Sequence, residues 1–401
     1  MPFTYDAAIV GAGPAGSATA SLLATAGFRV ALLERARFPR PKPCAEYLSP
    51  EASRVLARLG VLEEVEGLPH ARLSGMRVVS PNGTVFEGRF AGRHRFRGFS
   101  DVGLALRREA LDRVLALSAA ARGAAFFDGT AVEGWRREER GVVLALRTPG
   151  GAACLRARAL VGADGLNSRI ASRLGVRRRG RRRRLALVTH AVGVAGMADV
   201  GEMHVGPAGY VGLAPVGGGL TNVAAVTDLA RAGRRGAPGA WLDGLLEHYP
   251  AVRDRLAGSR RVGPVRAVGP FDRWVSRATA DRVLLVGDAA EFCDPFTGEG
   301  IYAALHGAEL AAAALAPALA TGRLSAAGLA PYDAARRRAF RGKWIVERLV
   351  SWAVARPAVM NHVAHRLGIR AGLADLLVGV TGDFVPPSRV LRPSFAWQLL
   401  R

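Results

Sequence analysis

Lysine is almost missing from this chain of 401 residues: only Lys42 and Lys343 occur, so 54 of its 56 basic side chains are arginine. Such usage, beside 49 glycines and abundant alanine, reads as a habit of genome composition. Cysteine is scarce as well. Cys44, Cys154 and Cys293 are too few and too odd in number for a disulfide framework, and they point to a reducing compartment. No charged region followed by an apolar stretch opens the chain, so no signal peptide is expected. The longest apolar stretch, residues 303–320, is Ala-rich and carries His306 and Glu309, which fits a buried helix better than a bilayer span. The expected location is the cytoplasm, with peripheral contact to a membrane left open. No His, Cys, Asp and Glu cluster has zinc or iron spacing, so no metal site is expected. Internal repeats are absent, and glycine and proline are too sparse and aperiodic for a collagen-like or disordered chain.

What is abundant is positive charge, a formal +23. Arginine favours phosphate and carboxylate partners because its fork is planar and bidentate. The densest run is Arg177-Arg178-Arg179-Gly180-Arg181-Arg182-Arg183-Arg184. It lacks the interleaved aromatics of a single-strand stacking platform, so a solvated loop is expected rather than a specific nucleic-acid site. An acidic carrier protein or a lipid headgroup is the alternative partner. The length suits two to three domains, or one large α/β domain with a second lobe.

The first 34 residues are the most informative. A β-rich run over 5–10 meets Gly11-Ala12-Gly13-Pro14-Ala15-Gly16, a small-residue helix is expected over 17–26, and a second strand over 28–33 ends at Glu34. A glycine motif between strand and helix, with an acid some twenty residues on, is the dinucleotide-binding context. Gly11 permits the tight turn, Gly13 lets backbone approach a pyrophosphate, and Gly16 lets helix and strand pack closely. The helix N-terminus offers N–H groups and a positive dipole end to phosphates.

A stiff, charged loop over 38–46 follows, then helical periodicity to residue 59. Arg108 opens another amphipathic helix. Residues 124–135 and 141–146 alternate like antiparallel strands, and 157–161 leads to Gly162-Ala163-Asp164-Gly165. From 185 to 227 the pattern becomes β-runs broken by glycines, which 76–79 and 84–86 are expected to join, so a second, inserted layer is predicted. A helix is expected over 242–256. A buried strand at 282–286 ends in Gly287-Asp288-Ala289-Ala290, followed by Cys293-Asp294-Pro295-Phe296-Thr297-Gly298-Glu299-Gly300 and a long apolar helix from Ile301. A last helical segment is expected over 332–354. His190, His204 and His306 read as satisfied structural histidines, and Tyr47 and Tyr210 as pocket phenols.

Three separated motifs, at 11–16, 162–165 and 287–301, together resemble the FAD-dependent fold shared by p-hydroxybenzoate hydroxylase, flavin-dependent halogenases and geranylgeranyl reductases. Lys42-Pro43-Cys44-Ala45-Glu46-Tyr47-Leu48-Ser49-Pro50 and the Thr297-Gly298-Glu299-Gly300 turn look most like the geranylgeranyl reductase branch. The resemblance implies an α/β protein. It has a Rossmann-like FAD-binding domain of glutathione-reductase type (1–72, 101–184 and 276–340), an inserted antiparallel β-sheet substrate domain (73–100 and 185–275) and a C-terminal helical region (341–401).

By that resemblance, Gly11, Gly13, Pro14, Ala15 and Gly16 hold the pyrophosphate of FAD and Glu34 the adenosine ribose, with Arg35 and Val132 beside it. Arg108 approaches the linker, and Asp164 and Gly165 line the path of FAD and a transient NAD(P)H donor. Asp288 binds the ribityl chain, the Gly298-Glu299-Gly300 turn places its N–H groups by the flavin N1 and C2 carbonyl, and Gly287, Pro295 and Ile301 are further cofactor-binding candidates. Cys44 and Ala45 lie by the isoalloxazine. Cys44, Tyr210, Asp294 and Pro295 are the catalytic candidates.

Relatives carry a Tyr-x-Trp-x-Phe-Pro stretch where this chain has Tyr210-Val211-Gly212-Leu213-Ala214-Pro215. Two bulky positions are lost, so a roomier pocket is expected, suited to a fused-ring or aromatic-lipid substrate. The first functional reading is an NAD(P)H-linked monooxygenase that hydroxylates or epoxidises a small hydrophobic molecule through an oxygen adduct at flavin C4a. The alternatives are a geranylgeranyl reductase-type reduction of a C=C bond and a non-redox ligand-binding flavoprotein. A carrier protein or membrane surface is the expected source of substrate, and the protein is expected to be a monomer or homodimer.

Overall fold

In the strand Tyr5–Val10, Ala7, Ala8 and Ile9 are wholly buried, as a strand covered on both faces requires. It pairs in parallel with Val30–Leu33 on one side and with the end of Gly151–Gly162 on the other. Ala125–Phe127 and Val283–Leu285 extend the parallel run outward. The structure is a computed structural model that describes residues 4–181, 183–230 and 236–400, so Arg182 of the arginine run lies outside the described residues. The early half of Gly151–Gly162 turns antiparallel, pairing with Gly141–Thr148, which in turn pairs with Ala131–Glu138. The alternation over 124–135 therefore misleads in its first part. Ala125–Phe127 belongs to the parallel run because a turn at Gly129, φ +63°, separates it from Ala131–Glu138.

A seven-stranded sheet forms the second layer, in the order Arg260–Val268, Arg184–Val192, Leu220–Asp228, Gly209–Pro215, Val200–Gly206, Gly75–Val79, Val85–Arg89. The early strands at 75–89 do join it. One pairing departs from the antiparallel expectation: Gly75–Val79 runs parallel to Val200–Gly206. Parallel neighbours need a long crossover, and the chain between these two supplies one by passing through the first sheet. Side chains alternate along Gly209–Pro215. Val211 and Leu213 pack with Leu242, Leu246 and Val252, while Tyr210 and Gly212 face a cavity between the two sheets. The helix expected over 242–256 is two, Pro238–Leu246 and Pro250–Leu256, because Pro250 has no N–H to continue the ladder.

Gly300–Thr321 is long and apolar enough to cross a membrane by length and composition, yet Leu305, Ala308, Ala311, Leu315 and Leu319 are buried in the main core. Ala326–Val354 begins six residues before the expected start, where the Ser325 hydroxyl accepts from Gly328 N at 3.2 Å. Pro357–Ile369 and Ala371–Thr381 then cover the edge strand Val85–Arg89. Asp375 fixes this contact by accepting from Arg89 N and Arg93 N, both at 2.8 Å. A covered edge cannot recruit another strand.

The arginine run is only partly the solvated loop expected of it. Arg178, Arg179, Arg181 and Arg183 are exposed, but Arg177 donates to Leu166 O at 2.6 Å and Arg184 is buried. Burial of Arg184 is possible because two carboxylates, Asp294 and Asp228, face it.

Candidate active site

The cavity between the sheets has a volume of about 1040 Å³, at the top of the range of roughly 300–1,000 Å³ usual for small-molecule sites. Its floor is the glycine turn. Gly11 has φ +103°, and a Cβ there would lie 2.3 Å from Ala163 O. A Cβ on Gly16 would lie 1.8 Å from Gly11 O, so the helix Pro14–Thr25 packs at this distance only without one. Gly13 differs. The nearest atom to its missing Cβ is Arg40 Nη2 at 3.8 Å, so that face is open to an incoming group. No side chain caps the helix N-terminus behind it. The turn is braced by Glu34, which accepts from Ala12 N and Ala36 N at 3.1 Å each and pairs with Arg40 at 3.1 Å. Arg40 also reaches Asp112 at 3.2 Å, and Asp112 holds Arg108.

Asp288 lies at the cavity, where burial pushes its carboxyl above the usual range while Lys42 and Arg108 pull it back. Asp164 caps the helix Arg169–Arg173 with Oδ2, accepting from Arg169 N at 2.7 Å, and its Oδ1 is buried without a partner. An open phosphate-sized face, a bare helix end and a buried orphan oxygen are what a dinucleotide would satisfy. The residues present fit FAD.

Cys44 lines the cavity in a loop fastened from the second sheet. Its Sγ accepts from Glu46 N at 3.3 Å and lies against the Arg108 guanidinium. Glu46 sits at φ +62° and is 3% exposed. Its Oε1 accepts from Arg108 N at 2.9 Å, and its Oε2 bonds His190 Nε2 at 2.6 Å and Asn222 Nδ2 at 3.0 Å. Asn222 also donates to Cys44 O at 2.8 Å. His190 and Asn222 stand on adjacent strands of the second sheet.

A second seam lies at the Asp294 loop. Tyr210 donates its hydroxyl to Asp294 Oδ1 at 2.5 Å, Arg184 donates to Oδ2 at 2.7 Å, and Phe296 N closes the turn at 3.1 Å. Burial, with the Asp294 carboxylate beside it, raises the Tyr210 phenol well above its ordinary range. Burial likewise raises the Cys293 thiol. All three cysteines are free. Gly298, φ +73°, lets the chain turn where a Cβ would strike the Tyr47 ring at 2.7 Å.

Every residue named from the sequence for cofactor or catalysis lines this one cavity except Gly16, which works from behind by packing. Thus Pro14, Ala15, Arg35, Ala45, Val132, Gly165, Gly287, Pro295, Gly300 and Ile301 meet Cys44, Tyr210 and Asp294 there. The widened-pocket expectation holds for Gly212, which faces the cavity beside Met203, but not for Ala214, which packs by Tyr47, Leu73 and Phe90. Sequence reasoning missed Arg40, Glu46, Arg184 and Asn222, whereas His190, expected to be a satisfied structural histidine, is satisfied by Glu46.

The sequence matches the FAD binding domain family over residues 4–346. It is 30% identical over 363 residues to the digeranylgeranylglycerophospholipid reductase of Methanoculleus marisnigri, covering 87% of this chain and 85% of the relative. The structure resembles the flavin-dependent halogenase CmlS with a TM-score of 0.77 and 26% identity, over 85% of this chain and 63% of that one. It resembles a geranylgeranyl bacteriochlorophyll reductase-like protein of Thermoplasma acidophilum with a TM-score of 0.77 and 22% identity, over 99% and 96% of the two chains. This chain therefore belongs to the FAD-dependent oxidoreductases of the p-hydroxybenzoate hydroxylase and geranylgeranyl reductase superfamily, on its geranylgeranyl reductase-like branch.

Proposed function

We propose that the protein reduces C=C bonds of a hydrophobic, isoprenoid-type lipid, with FAD as resident cofactor and NAD(P)H as passing donor. The observation that carries this reading is the division of the cavity. One wall holds the glycine turn, Asp288 and the Cys44 sulfur; the facing wall is apolar, built from Val188, Met203, Gly212, Ala224 and Val226. Such a wall binds a chain without polar handles and keeps water from it. The named relatives favour reduction over the oxygenation that the sequence put first.

In this reading the turn at 11–16 holds the pyrophosphate, Glu34 the ribose and Asp288 the ribityl hydroxyls. FAD would supply two-electron hydride chemistry. In this reading Cys44, which touches Glu46 N and Arg108, would be the side chain that meets the reacting bond. Residues 1–72, 101–184 and 276–340 form a Rossmann-like domain of glutathione-reductase type, 73–100 and 185–275 the inserted substrate domain, and 341–401 a helical cover. The parallel strand order and the strand pairings of 75–89 support that division. Ile345, Leu349 and Trp352, exposed on one helix beside Arg341, Arg348 and Arg356, suit contact with the membrane that holds such a lipid.

The test uses the FAD-loaded protein reduced anaerobically with dithionite and mixed with digeranylgeranylglycerophospholipid in detergent. Mass spectrometry is expected to show a gain of a hydrogen pair per double bond. A product that instead gains one oxygen atom in air, with no saturation, overturns the reductase reading in favour of the monooxygenase.

A further inference from the structure

Of the two lysines of this nearly lysine-free chain, Lys42 lines the cavity and Lys343 stands behind its wall. Lys42 faces Asp288, and Lys343 is buried beneath the Gly298–Glu299–Gly300 turn. Lys343 Nζ lies 3.0 Å from Glu299 Oε2, contacts Asp383 Oδ1, and stands 4.7 Å from the centre of the Tyr302 ring. Four residues on, one helical turn along Ala326–Val354, Glu347 reaches the same spot and faces Glu299 closely enough for their carboxyl groups to share a hydrogen bond. Glu299 and Glu347 both line the cavity. So does Tyr47, whose ring packs against the Gly298 turn and whose hydroxyl is buried with no partner, in the field of Glu299.

One ammonium thus contacts the carboxyl groups of Glu299 and Asp383, and Glu347 shares its field from beside Glu299. It can balance the charge of one. Two like carboxylates in contact at low dielectric do not both ionise, so the Glu299–Glu347 pair must keep a proton between them. We propose that Glu299 and Glu347 form a proton store in the cavity wall, which supplies the proton consumed with each hydride when a C=C bond is reduced. Lys343 is the positioning residue that holds Glu299 as the ionised partner. The inference rests on the reductase reading above.

The step balances. A hydride from the reduced cofactor adds to one alkene carbon, the O–H bond of the carboxyl breaks as a C–H bond forms at the other, and the resulting carboxylate regains its proton from solvent. Burial raises the Glu347 carboxyl well above its ordinary range, reinforced by Glu299, opposed by Lys343, and raised further by Glu291 and Asp294. Burial also raises Glu299, against Lys343 and the hydrogen bond with Glu347. Arg336 and Arg348, which face Glu291, complete the charged surroundings.

Two readouts on wild type and Glu347→Gln test this. Glutamine is the isostere of a protonated glutamic acid, so the variant keeps the packing. Infrared difference spectroscopy at neutral pH, with no substrate needed, is expected to show a protonated-carboxyl band that Glu347→Gln or Glu299→Gln removes. Dithionite-driven saturation of the lipid is expected to fall roughly hundredfold or more in Glu347→Gln, the scale of a general acid. Its rate is also expected to lose the decline at high pH seen in wild type. No protonated-carboxyl band, or one unchanged in both variants, overturns the store. A band lost without any change in the saturation rate overturns its delivery role. A wild-type protein that shows the band yet saturates no double bond overturns the reductase reading while the store stands.

Discussion

Glu46 combines a backbone cost with a side-chain gain, and two substitutions separate them. At φ +62° a residue with a Cβ pays about 1–2 kcal/mol relative to glycine. Against this, its buried carboxylate accepts from Arg108 N and Asn222 and meets His190 at 2.6 Å. Removing one partner from such a buried charged network costs about 3–5 kcal/mol, because the others stay buried and unpaired. Glu46→Ala keeps the backbone cost and loses the network, so it should lose about 3–5 kcal/mol. Glu46→Gly loses the same network but relieves the backbone, so it should be more stable than Glu46→Ala by about 1 kcal/mol.

The assay is urea unfolding followed by tryptophan fluorescence, together with the rate at which a thiol reagent labels Cys44. Exposed Cys154 and cavity-lining Cys293 are first replaced, as Cys154→Ser and Cys293→Ala. Both Glu46 variants should label Cys44 faster, since the lost carboxylate ties this loop to Arg108 N, His190 and Asn222. Glu46→Gly as stable as wild type, with unchanged labelling, would refute the claim that this network holds the Cys44 loop.

Three further expectations follow from the geometry. Gly16→Ala puts a Cβ into Gly11 O, and should lower stability by about 1–3 kcal/mol and yield colourless protein, whereas Gly13→Ala should melt normally and bind FAD more weakly; flavin absorbance and melting curves read both. Burial opposes ionisation of Glu202, but hydrogen bonds from His204 and Arg255 outweigh it and hold the carboxyl at about 2, below its ordinary 4.5. That depression stabilises the fold on the order of 3 kcal/mol above the ordinary value and is lost as pH falls toward 2, so urea midpoints of wild type and Glu202→Gln should differ at neutral pH and converge near that limit. Gly212→Phe should press on Met203 Sδ, 3.2 Å from the new Cβ, and weaken binding of a fused-ring ligand about tenfold or more in a flavin-fluorescence titration.

Legibility followed how local each interaction is. The cofactor turn could be read because its tight turn, open face and packing glycine occupy six consecutive residues between a strand and a helix, with Glu34 at the next strand end. The Cys44 clasp could not, because its parts stand at 46, 190 and 222 and meet only when two sheets come together. His190 looks like any histidine on a strand until Glu46 is placed opposite it. Arg184 was hidden among arginines for the same reason, since its neighbours Asp294 and Asp228 distinguish it from the exposed members of the run. Strand alternation did place 210, 212 and 214 on one face; it could not say that the cavity ends before the third. The scarcity of lysine was the overlooked signal. Of the two lysines, Lys343 is buried against Glu299 and Asp383, and Lys42 lines the cavity in the field of Asp288.

Apolar packing and two polar seams both join the walls of the cavity, Tyr210 meeting Phe296 edge to face at 5.0 Å, and the seams add direction to that packing. Asn222 and His190 of the second sheet hold the Cys44 loop of the first, and Tyr210 and Arg184 of the second hold the Asp294 loop that leads to Gly298 and Glu299. Apolar packing is non-directional and tolerates sliding, whereas a hydrogen bond weakens steeply once its angle falls. Short bonds of 2.5–2.7 Å at both seams therefore tie the loops that carry the sulfur and the glycine turn to the second sheet in a defined direction. A lipid chain offers no polar atom by which a site could orient it. In the proposed reductase reading its position relative to a hydride donor would be fixed only if the wall it lies on is itself fixed to the loops that hold the donor, and the buried carboxyl groups of Glu46 and Asp294 are two points that tie them.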